Sequence, residues 1–174
     1  MMIGHLPSAY LVYKIGAPRT LNTTVFMAGM VGALFPDIDL LWFYFVDNRA
    51  YHHHEYLTHR PAIWLGLLVA FFVFSRYFKN RLGLIGMSFC IGAITHVVFD
   101  STVGKIFWLW PFSDYSLTLV TVQATHSHFM LSFLAHWTFK VEIAVTTVAV
   151  IVFLHSRYRK RKATPVPTGN EKAR

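Results

Sequence analysis

Cysteine is almost absent from the chain, which contains only Cys90, within a run of apolar residues. A single cysteine excludes an intrachain disulfide, and it also excludes a zinc site built from several cysteines. We expect Cys90 to be an ordinary core residue, so a metal site in this chain would have to use other ligands.

The chain also has no internal repeat and no recognisable signal peptide. Its first residues show neither a positively charged region ahead of an apolar block nor a clear small-x-small cleavage site. Hydrophobic residues make up 55% of the 174 residues and the mean hydropathy is +0.44, both of which are high for a soluble domain. We therefore expect one domain that lies in a membrane.

Apolar runs long enough to cross a bilayer are scarce. A full span needs ~20 apolar residues, with a range of ~17–25, and only residues 82–99 reach that range. Shorter apolar segments occupy residues 21–35, 61–75 and 141–154, and residues 5–17 are compatible with a short N-terminal helix. The sequence therefore predicts an all-α, polytopic integral membrane protein with about four membrane helices plus a short N-terminal helix.

The sixteen basic residues are distributed unevenly and predict an orientation. Twelve of them precede the first segment, separate the second from the third, or follow the fourth, and basic residues gather on the cytoplasmic side of membrane segments. We therefore expect a multi-pass protein whose C-terminus is cytoplasmic. Residues 157–174 are rich in charge and poor in apolar side chains, so we interpret them as a disordered basic tail beyond a membrane domain of residues 1–156. A flank of this kind does not indicate nucleic-acid binding.

With that orientation, seven candidate metal ligands from four chain segments fall on the outer side of the membrane. They are His5, Asp37, Asp39, His54, His59, His96 and Asp100. Ionisable residues in membrane segments are costly to bury and are usually functional. Mixed histidine and aspartate ligation suits a divalent metal, with zinc our first choice and manganese or iron(II) as alternatives.

The spacing of these residues indicates how they could converge. His96 and Asp100, in "ITHVVFD", are four residues apart and share one helix face. Asp100 near a helix C-terminus opposes the helix dipole at ~0.3–1 kcal/mol, which a cation would offset. Pro36 is expected to end the first helix, and Asp37 and Asp39 then point the same way from an extended stretch.

Two further histidines are expected in a loop, because His54 and His59 are five apart and do not share a helix face. Pro61 would begin the helix that follows, and His52 and His53 are expected to be solvated. We assign His5, Asp39, His59, His96 and Asp100 as metal ligands. Asp37 and His54 are assigned a catalytic role, as general base or as a partner of a ligand.

A second group of histidines lies in "TVQATHSHFMLSFLAHW". His126, His128 and His136 could complete the site, line a substrate cleft or do neither, and the sequence leaves these alternatives open.

Three stretches, "GALFPDID", "HEYLTHRP" and "THVVFDSTVGKIFWLWPFS", resemble in order the signatures of the membrane-bound metal-dependent hydrolases, the LexA-binding, inner-membrane-associated hydrolases of bacteria. The resemblance covers roughly residues 1–155. It implies a location in the bacterial inner membrane, a hydrolytic activity and metal ligation by the residues named above. This family is also distantly similar to zinc-dependent phospholipase C. Glu55 and Tyr56 depart from the family pattern, which has arginine and glycine there.

The leading hypothesis is a metal-dependent hydrolase acting on a phospholipid or other phosphoester at the outer interface, with Lys105 as a possible phosphate contact. The alternative is a non-enzymatic membrane protein that binds a cytosolic protein partner through its basic tail. Transport is disfavoured because the second and third segments carry no ionisable group near mid-membrane. Haem binding would need histidines on facing helices at matching depth.

Overall fold

The computed structural model describes residues 3–18, 20–50, 53–127 and 129–163, and within these ranges it contains α-helices, short 3₁₀ turns and no β-strand. The helices are α1 (His5–Gly16), α2 (Thr23–Gly32), α3 (Asp39–Phe45), α4 (Pro61–Phe78), α5 (Arg81–Asp100), α6 (Phe129–Ala135) and α7 (Trp137–Ala163). The 3₁₀ turns are Phe35–Ile38, His53–Glu55 and Leu57–His59. Ile106 and Leu117 form an isolated antiparallel bridge in the segment between α5 and α6.

Three of the helices, α4, α5 and α7, are long and apolar enough to cross a membrane. A fourth candidate is a broken one, because Thr23–Gly32 and Phe35–Phe45 pass the same test together but are bent by 51° relative to each other. The predicted class of an all-α membrane protein is confirmed.

Helices α4 and α5 form an antiparallel hairpin whose ends follow local sequence signals. Helix α4 begins at Pro61, where the missing N–H of proline costs no helical hydrogen bond. It ends at Phe78, and the next residue, Lys79, adopts a left-handed conformation with φ of 47°. The side chain of Asn80 then accepts a hydrogen bond from the Leu82 N–H and caps α5. The short connection places the two helices side by side.

Helix α5 is the centre of the bundle, since 50% of its candidate span is buried inside the protein. Its backbone approaches α2 closely because both contribute glycines. A Cβ atom added to Gly92 would collide with the Gly29 carbonyl, and one added to Gly32 would collide with the Phe89 carbonyl. Small residues permit this kind of helix contact in membranes. The contact fixes the end of α2 against the last turns of α5.

Helix α1 is held on one side by α5 and on the other by α7. The Tyr13 hydroxyl donates to the Ser88 carbonyl at 2.6 Å. On the other side, the Glu142 carboxylate of α7 accepts hydrogen bonds from the backbone N–H groups of Ile3, at 2.8 Å, and Gly4, at 3.2 Å. Glu142 is only 1% exposed. It therefore caps the N-terminus of α1, where the first N–H groups have no partner within the helix.

Two local expectations from the sequence are wrong. The first helix does not end at Pro36, because α2 ends at Gly32 and Pro36 lies inside a 3₁₀ turn. Asp37 and Asp39 are not in an extended stretch, because Asp37 lies in that turn and Asp39 begins α3. Proline at the start of a turn supports helical geometry after it rather than extended geometry.

The sequence predicts a disordered basic tail at residues 157–174. Helix α7 continues through its first part to Ala163, so those residues are helical. The remainder, 164–174, lies outside the described residues.

Candidate metal centre

The candidate metal centre forms where four chain segments meet at one end of the bundle. Helix α5 contributes its last two turns and α1 contributes its first residue. The 3₁₀ turn after α2 and the two 3₁₀ turns before α4 complete it. All of these are helix ends or tight turns. They bring together at one point side chains that are far apart in the sequence.

Asp100 lies at the middle of this cluster. Its Oδ1 is 3.3 Å from His5 Nε2, and its Oδ2 lies 3.0 Å from His96 Nε2. The same Oδ2 is 3.3 Å from His59 Nε2 and 3.5 Å from His54 Nε2. Asp100, His59 and His96 are at most 1% exposed. Four imidazole rings therefore surround one buried carboxylate.

Asp37 approaches the same point from the open side. Its Oδ1 is 3.5 Å from His96 Nε2 and 3.8 Å from His59 Nε2. Ligand atoms of Asp37, His59, His96 and Asp100 all lie within 4.8 Å of one another, a spacing compatible with one shared metal ion. The Asp37 side chain is 33% exposed, so the centre is accessible to solvent from its side.

Hydrogen bonds on the outer faces of two rings direct their Nε2 atoms inward. His96 Nδ1 lies 2.8 Å from the Ala33 carbonyl, an acceptor, so Nδ1 carries the proton. His59 Nδ1 donates to Asp39 Oδ2 at 2.6 Å. The Nε2 atoms of both rings are therefore turned toward the buried Asp100 carboxylate. Metal-binding histidines commonly have an acceptor of this kind on the ring nitrogen that does not bind metal.

Asp39 lies behind His59 rather than inside the cluster. Its Oδ2 also accepts a hydrogen bond from the Thr58 hydroxyl at 2.5 Å, so Asp39 and Thr58 together hold the His59 ring. Asp37, which the sequence analysis assigned to catalysis, is the aspartate that faces the other ligand atoms. The two assignments stay predictions, and the geometry favours exchanging them.

His5 and His54 border the cluster. The His5 ring stacks on the His96 ring with centroids 3.6 Å apart and an interplanar angle of 10°. His54 lies against Gly104, where an added Cβ atom would overlap the imidazole. Both rings are more than nine-tenths buried. Each is therefore confined to one position by its neighbours.

The electrostatics of the cluster favour a proton or a cation. Burial alone would lower the pKa of His59, but hydrogen bonds with Asp100 and Asp39 outweigh it and raise the pKa to about 9. The metal-free protein therefore holds a proton on His59 at neutral pH. For His5 the balance is opposite, because burial lowers its pKa more than Asp100 raises it.

His53, expected to be solvated, is partly buried beside the cluster. Its ring lies 3.9 Å from that of His54 and 5.4 Å from that of His59, measured between centroids. Ligand atoms of these three histidines also lie within 4.8 Å of one another. His59 also belongs to the group of Asp37, His96 and Asp100, and its Nε2 faces Asp100. A metal ion bound by the three histidines would therefore compete for the His59 ring with one bound by that group.

The remaining candidates from the sequence lie elsewhere. His126 is exposed, and His136 lines a separate cavity of about 310 Å³ with Thr121 and Gln123. Lys105 is exposed. His52 and His128 lie outside the described residues. The described part of the second histidine group therefore does not join the cluster.

Sequence reasoning missed three contributors to this geometry, namely Thr58, Gly104 and the Ala33 carbonyl. Gly104 was within a quoted signature stretch, and its role follows from the space that His54 occupies. Thr58 and Ala33 lie within the other two signature stretches, but their roles depend on the turn that places Asp39 and on the close packing of α2 against α5.

Comparison with known proteins, like the fold, indicates a membrane protein. No curated protein and no solved structure matches the chain significantly. The family described as YdjM inner membrane protein matches residues 1–163, which is most of the chain and includes every residue of the cluster. The chain therefore belongs to the YdjM inner membrane protein family.

Proposed function

We propose that this chain is a metal-dependent hydrolase of the bacterial inner membrane that cleaves a phosphoester, with a phospholipid as the first candidate substrate. The observation that carries the proposal is the convergence of two buried histidine Nε2 atoms and two carboxylates on one point at the end of a candidate membrane helix. The resemblance of the three signature stretches to metal-dependent hydrolases supports the same activity.

The donor set fits a divalent metal with open coordination positions. We assign Asp37, His59, His96 and Asp100 as the ligands, because their ligand atoms all lie within 4.8 Å of one another and include both carboxylate and imidazole donors. Two imidazoles and two carboxylates suit zinc, manganese or iron(II), with zinc as first choice. Catalytic sites of this kind keep a position for water or substrate, and the exposed side of Asp37 provides access.

A bound divalent ion would lower the pKa of a coordinated water toward ~7 and polarise a phosphoryl oxygen. The residues of the chain then have separate tasks. Asp39 fixes the orientation of His59 through Nδ1, and the Ala33 carbonyl does the same for His96. His54, held between Asp100 and Gly104, is our candidate for accepting or returning a proton.

The position of the cluster supports a lipid-linked substrate. The ligands lie at the C-terminal end of α5 and just before the N-terminal end of α4, both candidate membrane spans. The ends of such spans lie at the level of the lipid headgroups. The excess of basic residues at the opposite end favours an outward-facing site, with the C-terminus in the cytoplasm.

The proposal is tested by metal-dependent turnover of the purified protein. Protein loaded with zinc or manganese is assayed on nitrophenyl phosphoesters and on phospholipids, beside Asp100→Asn and the control Asp114→Asn, which changes an exposed carboxylate outside the cluster. We expect turnover that is lost on chelation and in Asp100→Asn but retained in Asp114→Asn. Turnover that resists chelation, or equal turnover in both variants, would contradict the proposal.

A further inference from the structure

Two groups of candidate ligands share the His59 ring. They are the mixed group, Asp37, His59, His96 and Asp100, and the three-histidine group, His53, His54 and His59. Within each group the ligand atoms lie within 4.8 Å of one another. Because His59 Nδ1 donates to Asp39 at 2.6 Å, only Nε2 of this ring remains to bind a metal ion. The two groups therefore cannot each hold an ion with all of their ligands at the same time.

The two groups differ in their exposure to solvent. In the mixed group, His59, His96 and Asp100 are at most 1% exposed. In the three-histidine group, His54 is 6% exposed and His53 is only partly buried. The three-histidine group therefore extends from the buried His59 ring toward the surface, and it forms the outer of the two positions.

The His53 ring is held in place by its neighbours. Its carbonyl accepts a hydrogen bond from the Tyr56 N–H at 3.3 Å, beside the 3₁₀ turn that His53 begins. Between centroids, its ring lies 6.1 Å from Phe43 of α3 and 3.9 Å from His54. The His54 ring in turn lies 4.9 Å from His59. The three rings form a continuous series, so an ion can keep one ligand while it exchanges another.

The two groups also differ in charge. The mixed group contains two carboxylates, which offset the charge of a divalent ion, whereas three neutral imidazoles offset none of it. We therefore expect an ion to be bound more tightly in the mixed group and to move inward from the outer one. The Asp37 side of the centre is also open, since that side chain is 33% exposed. Among the described residues, however, no further group of three candidate ligands lies outside Asp37.

We propose that the three-histidine group is a loading position, which captures a divalent ion such as zinc from solvent and passes it to the mixed group. His59 stays bound during the transfer, while His53 and His54 are exchanged for His96 and the two carboxylates. Loading rests on the metal centre of the proposed function, but it does not depend on the reaction that this centre catalyses. His53 takes part in loading and is absent from the final set of ligands.

The first test measures the rates of zinc uptake and release in the full-length, detergent-purified protein. Metal-free protein is mixed rapidly with zinc, and uptake is followed with a fluorescent zinc indicator. Release is followed after the addition of excess chelator. The variant is His53→Asn, and its matched control is His126→Asn, which replaces an exposed histidine outside the cluster.

We expect His53→Asn to slow uptake and release by the same factor, about tenfold, or ~1.4 kcal/mol on the barrier. His126→Asn should change neither rate. The factors are equal because a residue used only along the path alters the barrier and not the end states, so the dissociation constant stays the same. Unchanged rates in His53→Asn would overturn the loading position and favour entry beside Asp37. A larger dissociation constant would also overturn it, because His53 would then belong to the final set of ligands.

A second test isolates the three-histidine group. The His96→Ala/Asp100→Ala double variant lacks two of the four mixed ligands. On titration with Co²⁺, whose visible absorption reports its ligands, this variant should bind the ion, more weakly than the native protein does. Adding His53→Asn should abolish this binding, and adding His126→Asn should leave it in place. The same titration with and without His53→Asn would overturn the assignment of His53.

Turnover measured on the same preparations separates loading from the proposed function. Zinc uptake that depends on His53, in a protein without turnover, would support the loading position and contradict the hydrolase. Metal-dependent turnover with zinc uptake that is independent of His53 would support the hydrolase and contradict the loading position. A protein that binds no zinc would contradict both.

Discussion

The two aspartates of "PDID" differ in what their side chains contact, and this gives them different tasks at the metal centre. Asp37 faces the Nε2 atoms of His59 and His96, whereas Asp39 binds the back of the His59 ring. Removing a ligand should prevent stable metal binding, and removing a partner of a ligand typically weakens it ~10–100-fold.

We therefore predict that Asp37→Asn loses bound metal, while Asp39→Asn retains one equivalent at an affinity reduced ~10–100-fold. Competition titration with a chelating indicator measures both values. Equal losses in the two variants, or a larger loss in Asp39→Asn, would contradict the assignment.

The raised pKa of His59 predicts a pH dependence of the metal-free protein. The folded-state pKa of about 9 exceeds the ordinary value of 6.5, so the proton on His59 stabilises the fold. That contribution is fully present below about pH 6.5 and is lost as the pH rises through about 9. We predict that the thermal midpoint of the metal-free protein falls over this interval.

The matched variant is His59→Gln. Its thermal midpoint should not show this part of the decrease with rising pH. Bound metal should also remove it, because the ion then takes the place of the proton. The same pH profile in His59→Gln and in the native protein, both free of metal, would show that another group is responsible.

At the scale of elements, the contact between α2 and α5 determines whether Ala33 can reach His96. We predict that Gly92→Ala lowers both the thermal midpoint and the metal content, because its Cβ atom would meet the backbone of Gly29 and separate the helices. Gly66→Ala is the control, since an added Cβ atom there meets nothing within 4 Å. It should be neutral or stabilising by up to ~1 kcal/mol. Equal behaviour of the two variants would contradict the role given to this contact.

The contact between α1 and α7 has a comparable role for His5. The buried Glu142 carboxylate fixes the N-terminus of α1, and His5 is the first residue of that helix. We predict that Glu142→Ala costs about 1.5–3 kcal/mol of stability, the usual range for hydrogen bonds to a charged group, and weakens metal binding. Glu142→Gln keeps an acceptor oxygen and should be intermediate. Chemical denaturation and metal titration measure the two effects, and an unchanged metal affinity in Glu142→Ala would show that α1 is positioned by other contacts.

At the scale of the whole molecule, the sequence was sufficient for the class of fold, because apolar segments and the signals at Pro61 and Asn80 are local properties of the chain. It also indicated which histidines and aspartates lie near one another, since they cluster at the predicted ends of the segments. It could not determine which aspartate faces the cluster. That depends on a 3₁₀ turn at Pro36, and the expected extended backbone would have directed both side chains the same way.

Features that depend on packing between distant segments were also beyond the sequence. By sequence, Glu142 is only an acidic residue near the start of the 141–154 segment, and its contact with the N-terminus of α1 depends on the packing of α1 against α7. Such pairings depend on helix packing, which a single sequence does not encode in local patterns.

The most direct test of the account is the metal content of the detergent-purified protein, measured by plasma mass spectrometry beside a His96→Ala/Asp100→Ala double variant. We predict at least one equivalent of zinc, manganese or iron in the native protein and none above background in the variant. Absence of metal from both after repletion, or equal metal in both, would contradict the central claim that these side chains form a metal site.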